Sequence, residues 1–173
     1  MKSPAAALAL AALTTLACPV ATAQWTKELI KDDKTGESYR RYTLSSTASP
    51  PGASGGVGRK GQLVMRTGHF PGGIQLSLRT EQGRFVCPVG PDFCQVRIRF
   101  DAEPPFVLPA VRPADGSSDR LFMRDDGRFM AGAATAQTIV VEAAYLAHGI
   151  QALAFAAPGG LEGPAPRATG PAP

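Results

Sequence analysis

The sequence has few of the side chains that usually carry chemistry. Its 173 residues include two histidines, three cysteines and one tryptophan. His69 and His148 each stand alone in a turn-like stretch, without the HExxH, HxH or DxH spacing that indicates a metal site. No GxSxG turn offers a serine nucleophile, and no Lys-Ser/Thr pair follows the glycines of residues 52–58 to form a phosphate loop. These patterns lead us to expect a non-enzymatic protein without metal or cofactor.

Long apolar runs are also missing after the N-terminus. Residues 5–17 form a run rich in Ala and Leu, which follows Lys2 and precedes the small residues Ala21-Thr22-Ala23. This three-part layout predicts a secretory signal peptide over residues 1–23, cleaved after Ala23, and the run is too short to span a bilayer as a helix. We therefore expect a periplasmic or secreted protein without a membrane span.

Cys18 allows a different outcome for the N-terminus. The letters TLAC resemble the box that precedes a lipid-modified cysteine in bacterial lipoproteins, although Thr15 stands where that box has an aliphatic residue. Lipid anchoring at Cys18 is the alternative to a free mature chain.

Charge of either sign is sparse. Residues 1–23 hold one of the 18 basic side chains and none of the 14 acidic ones, so the remainder has 17 against 14. The basic residues are spread along the chain, whereas a nucleic-acid interface needs a dense patch. The sequence predicts no nucleic-acid partner, and it gives no oligomeric state.

Cys87 and Cys94 are the cysteines that remain after residue 23. Their C-x6-C spacing lacks the C-x2-C of zinc ribbons and thioredoxin-like sites, and no histidine lies near them in sequence. An oxidising compartment favours a disulfide. Two prolines and a glycine in residues 88–92 predict a turn between two short strands, so the pair is expected to staple the stems of a hairpin.

The rest of the chain is predicted to be mainly β. Alternation of polar and apolar residues and regular turn signals favour an antiparallel β-sandwich or a partly closed barrel with one short helix. Strands are expected at residues 25–31, 39–46, 62–67, 73–80, 95–100, 120–124, 138–146 and 150–155, with an edge segment at 104–108 and a helix at 128–137. Residues 24–157 should form a single domain, and the Pro/Gly/Ala-rich tail 158–173 should be disordered.

The C-terminal half carries a resemblance. The order of a strand ending RFD, a polar loop, LFMRDDGRF, a short helix and IVVEAAYLAHGIQALAF is similar to small exported bacterial families of unknown function and to periplasmic accessory proteins of type VI secretion loci. The resemblance implies an envelope location and a sandwich-like fold, with the motif VRIRFD of residues 96–101 as a structural landmark. It implies no active site.

Two features are candidates for binding. Arg79, Arg97 and Arg99 should point outward from strands, and they would form a basic stripe if those strands are neighbours. Phe93 lies at the tip of the stapled turn, where a rigid loop is pre-organised for docking. The favoured hypothesis is an exported domain that binds an envelope protein, an anionic glycan or a lipid headgroup. The alternatives are a small envelope hydrolase that pairs a loop histidine with an aspartate, and an enzyme inhibitor that inserts the Phe93 loop.

Overall fold

The computed structural model describes residues 24–47, 60–68, 73–87, 94–124 and 126–161. The predicted signal peptide, His69 and Phe93 lie outside these ranges. The elements, in chain order, are β1 Thr26–Lys31, β2 Ser38–Ser45, β3 Gly61–Thr67, β4 Ile74–Thr80, β5 Cys94–Phe100, β6 Phe106–Val111, β7 Arg120–Met123, α1 Asp126–Ala133, β8 Thr138–Tyr145 and β9 Gly149–Ala156. The predicted mainly-β fold with one short helix is confirmed.

All nine strands belong to one antiparallel sheet, in the order β1-β2-β3-β4-β7-β6-β5-β8-β9. The sheet curls so that its two ends approach each other. Thr47, just after β2, donates two hydrogen bonds to the carbonyl of Ala154 in β9, from its backbone N–H at 2.9 Å and from its hydroxyl at 3.1 Å. This contact joins distant strands without a closing ladder. The fold is therefore closer to the partly closed barrel than to a sandwich of two sheets.

Alternation along the strands builds the core. In β5 every second side chain is buried and the others are exposed, as expected when successive residues point to opposite sides of a strand. The inward side chains of the strands meet in one apolar cluster. Its largest fully buried members include Phe85, Phe129, Phe155, Leu44, Leu63, Leu78, Ile98 and Ile139.

Helix α1 packs onto this core through a glycine. Phe129 and Ala133 are fully buried, and the centroid of the Phe129 ring lies 5.7 Å from that of Phe100. A Cβ on Gly132 would overlap the Phe100 ring, so the glycine allows the helix to approach. The helix begins two residues before the predicted 128 and ends four residues before the predicted 137. Beyond its last residue, the amides of Thr135 and Ala136 both donate to the carbonyl of Gly132.

Asp101 fixes the connection between β5 and β8. Its φ of +44° is in the left-handed region, which aspartate tolerates better than most residues. The carboxylate accepts hydrogen bonds from the backbone N–H groups of Gln137 and Thr138, at 3.1 and 2.7 Å. The last residue of the VRIRFD motif is thus a structural clamp, which agrees with its expected role as a landmark.

The domain extends beyond its predicted end at residue 157. Leu161 is 4% exposed, and its backbone N–H donates to the carbonyl of Ala133 at the end of α1, at 2.7 Å. The prediction of a disordered tail from residue 158 is wrong for residues 158–161, because one leucine in a Pro/Gly-rich stretch completes the core. The rest of the tail lies outside the described residues.

β6 is an interior strand, so the prediction of an edge segment at residues 104–108 is wrong for the strand as a whole. Residues 106–108 pair with β5 alone, and the ladder to β7 involves only Ala110 and Val111. Pro109 is tolerated because this ladder begins after it, while its carbonyl still accepts a hydrogen bond from the N–H of Arg124.

Candidate binding surface

The outer face of β5 carries two of the predicted arginines. Arg97 and Arg99 are exposed, with Gln95 before them, because the intervening residues of the strand point into the core. The neighbouring strands place Val107 of β6 and Glu142 of β8 directly opposite Arg97. A cation, an anion and an aliphatic side chain therefore lie side by side across three strands.

Arg97 and Glu142 form an ion pair on this face. The guanidinium Nη1 lies 3.6 Å from the carboxylate Oε2, and the two side chains are 56% and 36% exposed. Pairs this accessible to water contribute little to stability, on the order of 0–1 kcal/mol before further screening by salt. The pair orients two charges at the surface more than it holds the fold together.

A groove opens beside this pair, with a volume of about 270 Å³. It lies where β8 separates from β5, beyond the last paired residues of that ladder, Arg97 and Glu142. We call it the β5–β8 groove, and its lining consists of Val86, Gln95, Arg97, Val107, Glu142, Ala143, Ala144 and Ile150. Val107 is 51% and Ile150 72% exposed, so two large aliphatic side chains face solvent at its rim.

The chain before the disulfide forms one wall of the groove. In this stapled segment, residues 84–87, the N–H of Val86 donates to the carbonyl of Ala144, and the carbonyl of Arg84 accepts from the N–H of Leu146. The segment therefore pairs with β8 and not with β5, so the predicted hairpin of two mutually paired stems is wrong. This pairing places Phe85 in the core, where its ring lies against that of Tyr145, with the centroids 4.8 Å apart and the planes tilted by 48°.

The predicted disulfide is present. Cys87 and Cys94 are bonded, with their Cα atoms 4.8 Å apart. The bond ties the end of the stapled segment to the start of β5. Val86 and Gln95, on two sides of the β5–β8 groove, are each one residue away from the bond.

The structure separates Arg79 from the other two arginines. Arg79 lies on β4, and β7 and β6 stand between β4 and β5, so the strands are not neighbours and no common stripe forms. Its guanidinium faces Asp119 at 3.5 Å, whereas Arg99 donates to the backbone carbonyl of Asp101 at 2.8 Å. Of the three predicted arginines, Arg97 alone lines the β5–β8 groove.

Of the two histidines in the hydrolase alternative, His148 lies within the described residues. His148 lies in the exposed turn between β8 and β9, where its N–H donates to the carbonyl of Tyr145. Across the described ranges, no three His, Cys, Asp or Glu side chains are grouped so that they could hold a metal ion. Likewise, no helix of the described chain is long and apolar enough to cross a membrane.

Within the part of the chain that the structure describes, the pKa of Asp115 departs from its usual value. The backbone and the side chain of Ser117 donate to its carboxylate, and these hydrogen bonds lower the pKa of Asp115. The N–H bond measures 2.8 Å. Since the carboxyl lies in a turn between β6 and β7 and is fully exposed, the shift reflects turn geometry and not a reactive centre.

Sequence reasoning missed Glu142, Val107 and Ile150. A signal for Glu142 was available, because it is the single charge in the strand TIVVEAAY and a charge in an apolar strand faces outward. Val107 and Ile150 gave no comparable signal. Their exposure depends on the order of strands in the sheet, which pairs residues far apart in the chain.

Comparison with family models, with curated proteins and with solved structures found no match to this chain. The resemblance to small exported bacterial families and to type VI accessory proteins therefore stays a prediction.

Proposed function

We propose that this protein is an exported, non-enzymatic binding domain that docks an envelope component through the β5–β8 groove. The observation that carries the proposal is the juxtaposition of the Arg97–Glu142 pair with the exposed side chains of Val107 and Ile150 around one concavity. Arginine and exposed aliphatic side chains in a common patch are typical of surfaces that bind another molecule.

The disulfide supports the proposal because it limits the motion of the groove. Cys87 and Cys94 hold the walls that carry Val86 and Gln95 at a fixed separation. A surface that is ordered before binding loses less conformational freedom when the ligand arrives. The staple thus serves affinity as well as stability.

The lining favours a protein ligand over a glycan. Val86, Val107, Ala144 and Ile150 offer aliphatic contacts, and Arg97 and Glu142 offer one charge of each sign. Such a surface complements a protein patch with an apolar centre and polar rim. An anionic glycan would use Arg97 but would leave the aliphatic rim without a matching partner.

The test is a crosslinking capture from native envelope extract with the purified protein and two groove variants, Val107→Asp and Ile150→Asp. Each variant places a charge at the rim, so we expect a roughly tenfold or larger loss of the captured component. Ser45→Asp, at an exposed position of β2, adds the same charge elsewhere and should leave capture unchanged.

Protease treatment of the extract separates the two ligand classes, since capture of a protein would be lost and capture of a glycan retained. Equal capture by the groove variants and the Ser45 control would refute docking in the β5–β8 groove.

A further inference from the structure

The strand β1 is an open edge of the sheet. Among the described residues it pairs with β2 only, and five of its six side chains are exposed. The opposite edge, β9, is contacted by Thr47 at Ala154. An exposed edge strand presents unpaired N–H and C=O groups to which another strand can add.

One face of β1 has a distinctive order of side chains. Lys27, Leu29 and Lys31 alternate along the strand and therefore point to the same side. Leu29 is 73% exposed, and neither lysine has an acidic partner among the described residues. On the other face, Glu28 is already engaged by Arg41 at 2.7 Å. The face that carries the lysines thus offers a cation, an apolar side chain and a second cation in a row.

A cleft of about 340 Å³ continues this face at the N-terminal end of β1. Trp25, Lys27 and Tyr42 line it on one side, and the turn at residues 158–160 lines it on the other. The indole N–H of Trp25 is buried and has no acceptor within the described chain. A buried donor without an acceptor is costly, and an incoming segment could supply a carbonyl or carboxylate oxygen here.

A second copy of this chain does not suit the edge. When two antiparallel copies of β1 are related by a two-fold axis, residues that lie opposite each other point to the same face of the sheet. Because side chains alternate between the faces, the sequence numbers of two opposite residues must differ by an even number. The two registers that pair most of the strand then place Glu28 opposite Glu28, or Lys27 opposite Lys31. Like charges directly opposite each other are destabilising.

We propose that the free edge of β1 binds an extended segment of a different protein by strand addition. The segment carries two acidic residues four positions apart with an apolar residue midway, so that they lie opposite Lys31, Leu29 and Lys27. Backbone hydrogen bonds supply the affinity, and the two acid–lysine pairs supply the selectivity. This surface is separate from the β5–β8 groove.

The test uses the purified protein and three synthetic peptides: Thr-Glu-Thr-Val-Thr-Glu-Thr, the same peptide with Lys for Glu, and the acidic peptide with Pro for Val. We expect the acidic peptide to bind with roughly tenfold preference over the basic one, from two reversed charge pairs. Its binding should slow hydrogen exchange at alternate amides of residues 26–31, because the backbone N–H of every second residue in an edge strand points away from the neighbouring strand. The proline peptide should give no such protection.

A charge-reversed protein provides the decisive control. Lys27→Glu with Lys31→Glu should reverse the preference toward the basic peptide. Lys60→Glu with Arg128→Glu makes the same change of net charge at exposed positions outside β1 and should preserve the preference. Absence of binding, an unchanged preference in the reversed protein, or protection of β1 in the protein alone would each overturn the proposal. Exchange at the core strands verifies that every variant is folded.

Discussion

At the scale of single residues, Gly132 shows how the absence of a side chain determines packing. It lies in a helix, where glycine is ordinarily unfavourable, yet the Phe100 ring occupies the space that a Cβ would need. Asp101 is a comparable case in which a backbone conformation with positive φ is held by two hydrogen bonds to its carboxylate. Neither role could be predicted from the residue type alone, because each depends on a contact with a residue that is distant in the chain.

We expect Gly132→Ala to lower the free energy of unfolding by about 1–3 kcal/mol, the usual cost of overpacking, even though alanine favours helix. Gly127→Ala is the matched control in the same helix. Nothing lies within 4 Å of a Cβ at that position. It should raise the free energy of unfolding by about 0.5 kcal/mol. Urea denaturation of the two variants measures both values, and equal shifts of the same sign would contradict the role given to Phe100.

At the scale of elements, two short segments complete the sheet and the core. They are the stapled segment and residues 158–161. The stapled segment forms backbone hydrogen bonds with β8, and residues 158–161 bring the chain back to the end of α1. Both are held by tertiary contacts, since neither has a strand or helix of its own. Their contributions can be measured separately.

The disulfide should stabilise the fold mainly by restricting the unfolded chain. Closing a loop of this length corresponds to about 2.5 kcal/mol in the chain-entropy account, so Cys87→Ser with Cys94→Ser should lower the free energy of unfolding by that amount. Reduction of the unaltered protein should reproduce the loss, and the double variant should not respond to reductant. A stability that is insensitive to reductant in the unaltered protein would show that the bond is not formed in solution.

Leu161 should be as important to stability as a leucine in a regular strand. Its side chain is buried, so Leu161→Ala should lower the free energy of unfolding by about 2–5 kcal/mol. Leu29→Ala makes the same chemical change at an exposed position. It should fall within about 0.5 kcal/mol of the unaltered protein. Similar values for the two variants would contradict the placement of Leu161 in the core.

Much of this level of structure could be predicted from sequence. Alternation and turn signals located eight of the nine strands, and the Ala-rich stretch after Gly127 located the helix, because these signals are local. The prediction that residues 104–108 form an edge segment failed for a specific reason. A proline keeps a strand out of the sheet interior only if the neighbouring strand needs a hydrogen bond from the backbone nitrogen at that position, and β7 pairs with β6 only after Pro109. The tail prediction failed because composition averages over residues and Leu161 acts alone.

At the scale of the whole molecule, the strand order decides which surface exists. The sequence placed Arg79, Arg97 and Arg99 on outward faces, but β7 and β6 lie between β4 and β5 and separate the first from the others. The same order brings Val107, Arg97 and Glu142 into one row. Pairing between distant segments carries no local signal, so the groove could not be predicted although one of its members was.

The contact between Thr47 and Ala154 has a consequence for the order in which the molecule can assemble. Thr47, early in the domain, hydrogen-bonds to Ala154 of β9, and the end of α1 hydrogen-bonds to Leu161. The interior therefore cannot be fully enclosed until residues near position 160 are in place. Folding dominated by such distant pairings is slow, and unpaired strands remain open meanwhile. The two ends of the described domain must therefore meet before the sheet can roll up, whichever of its strands pair first.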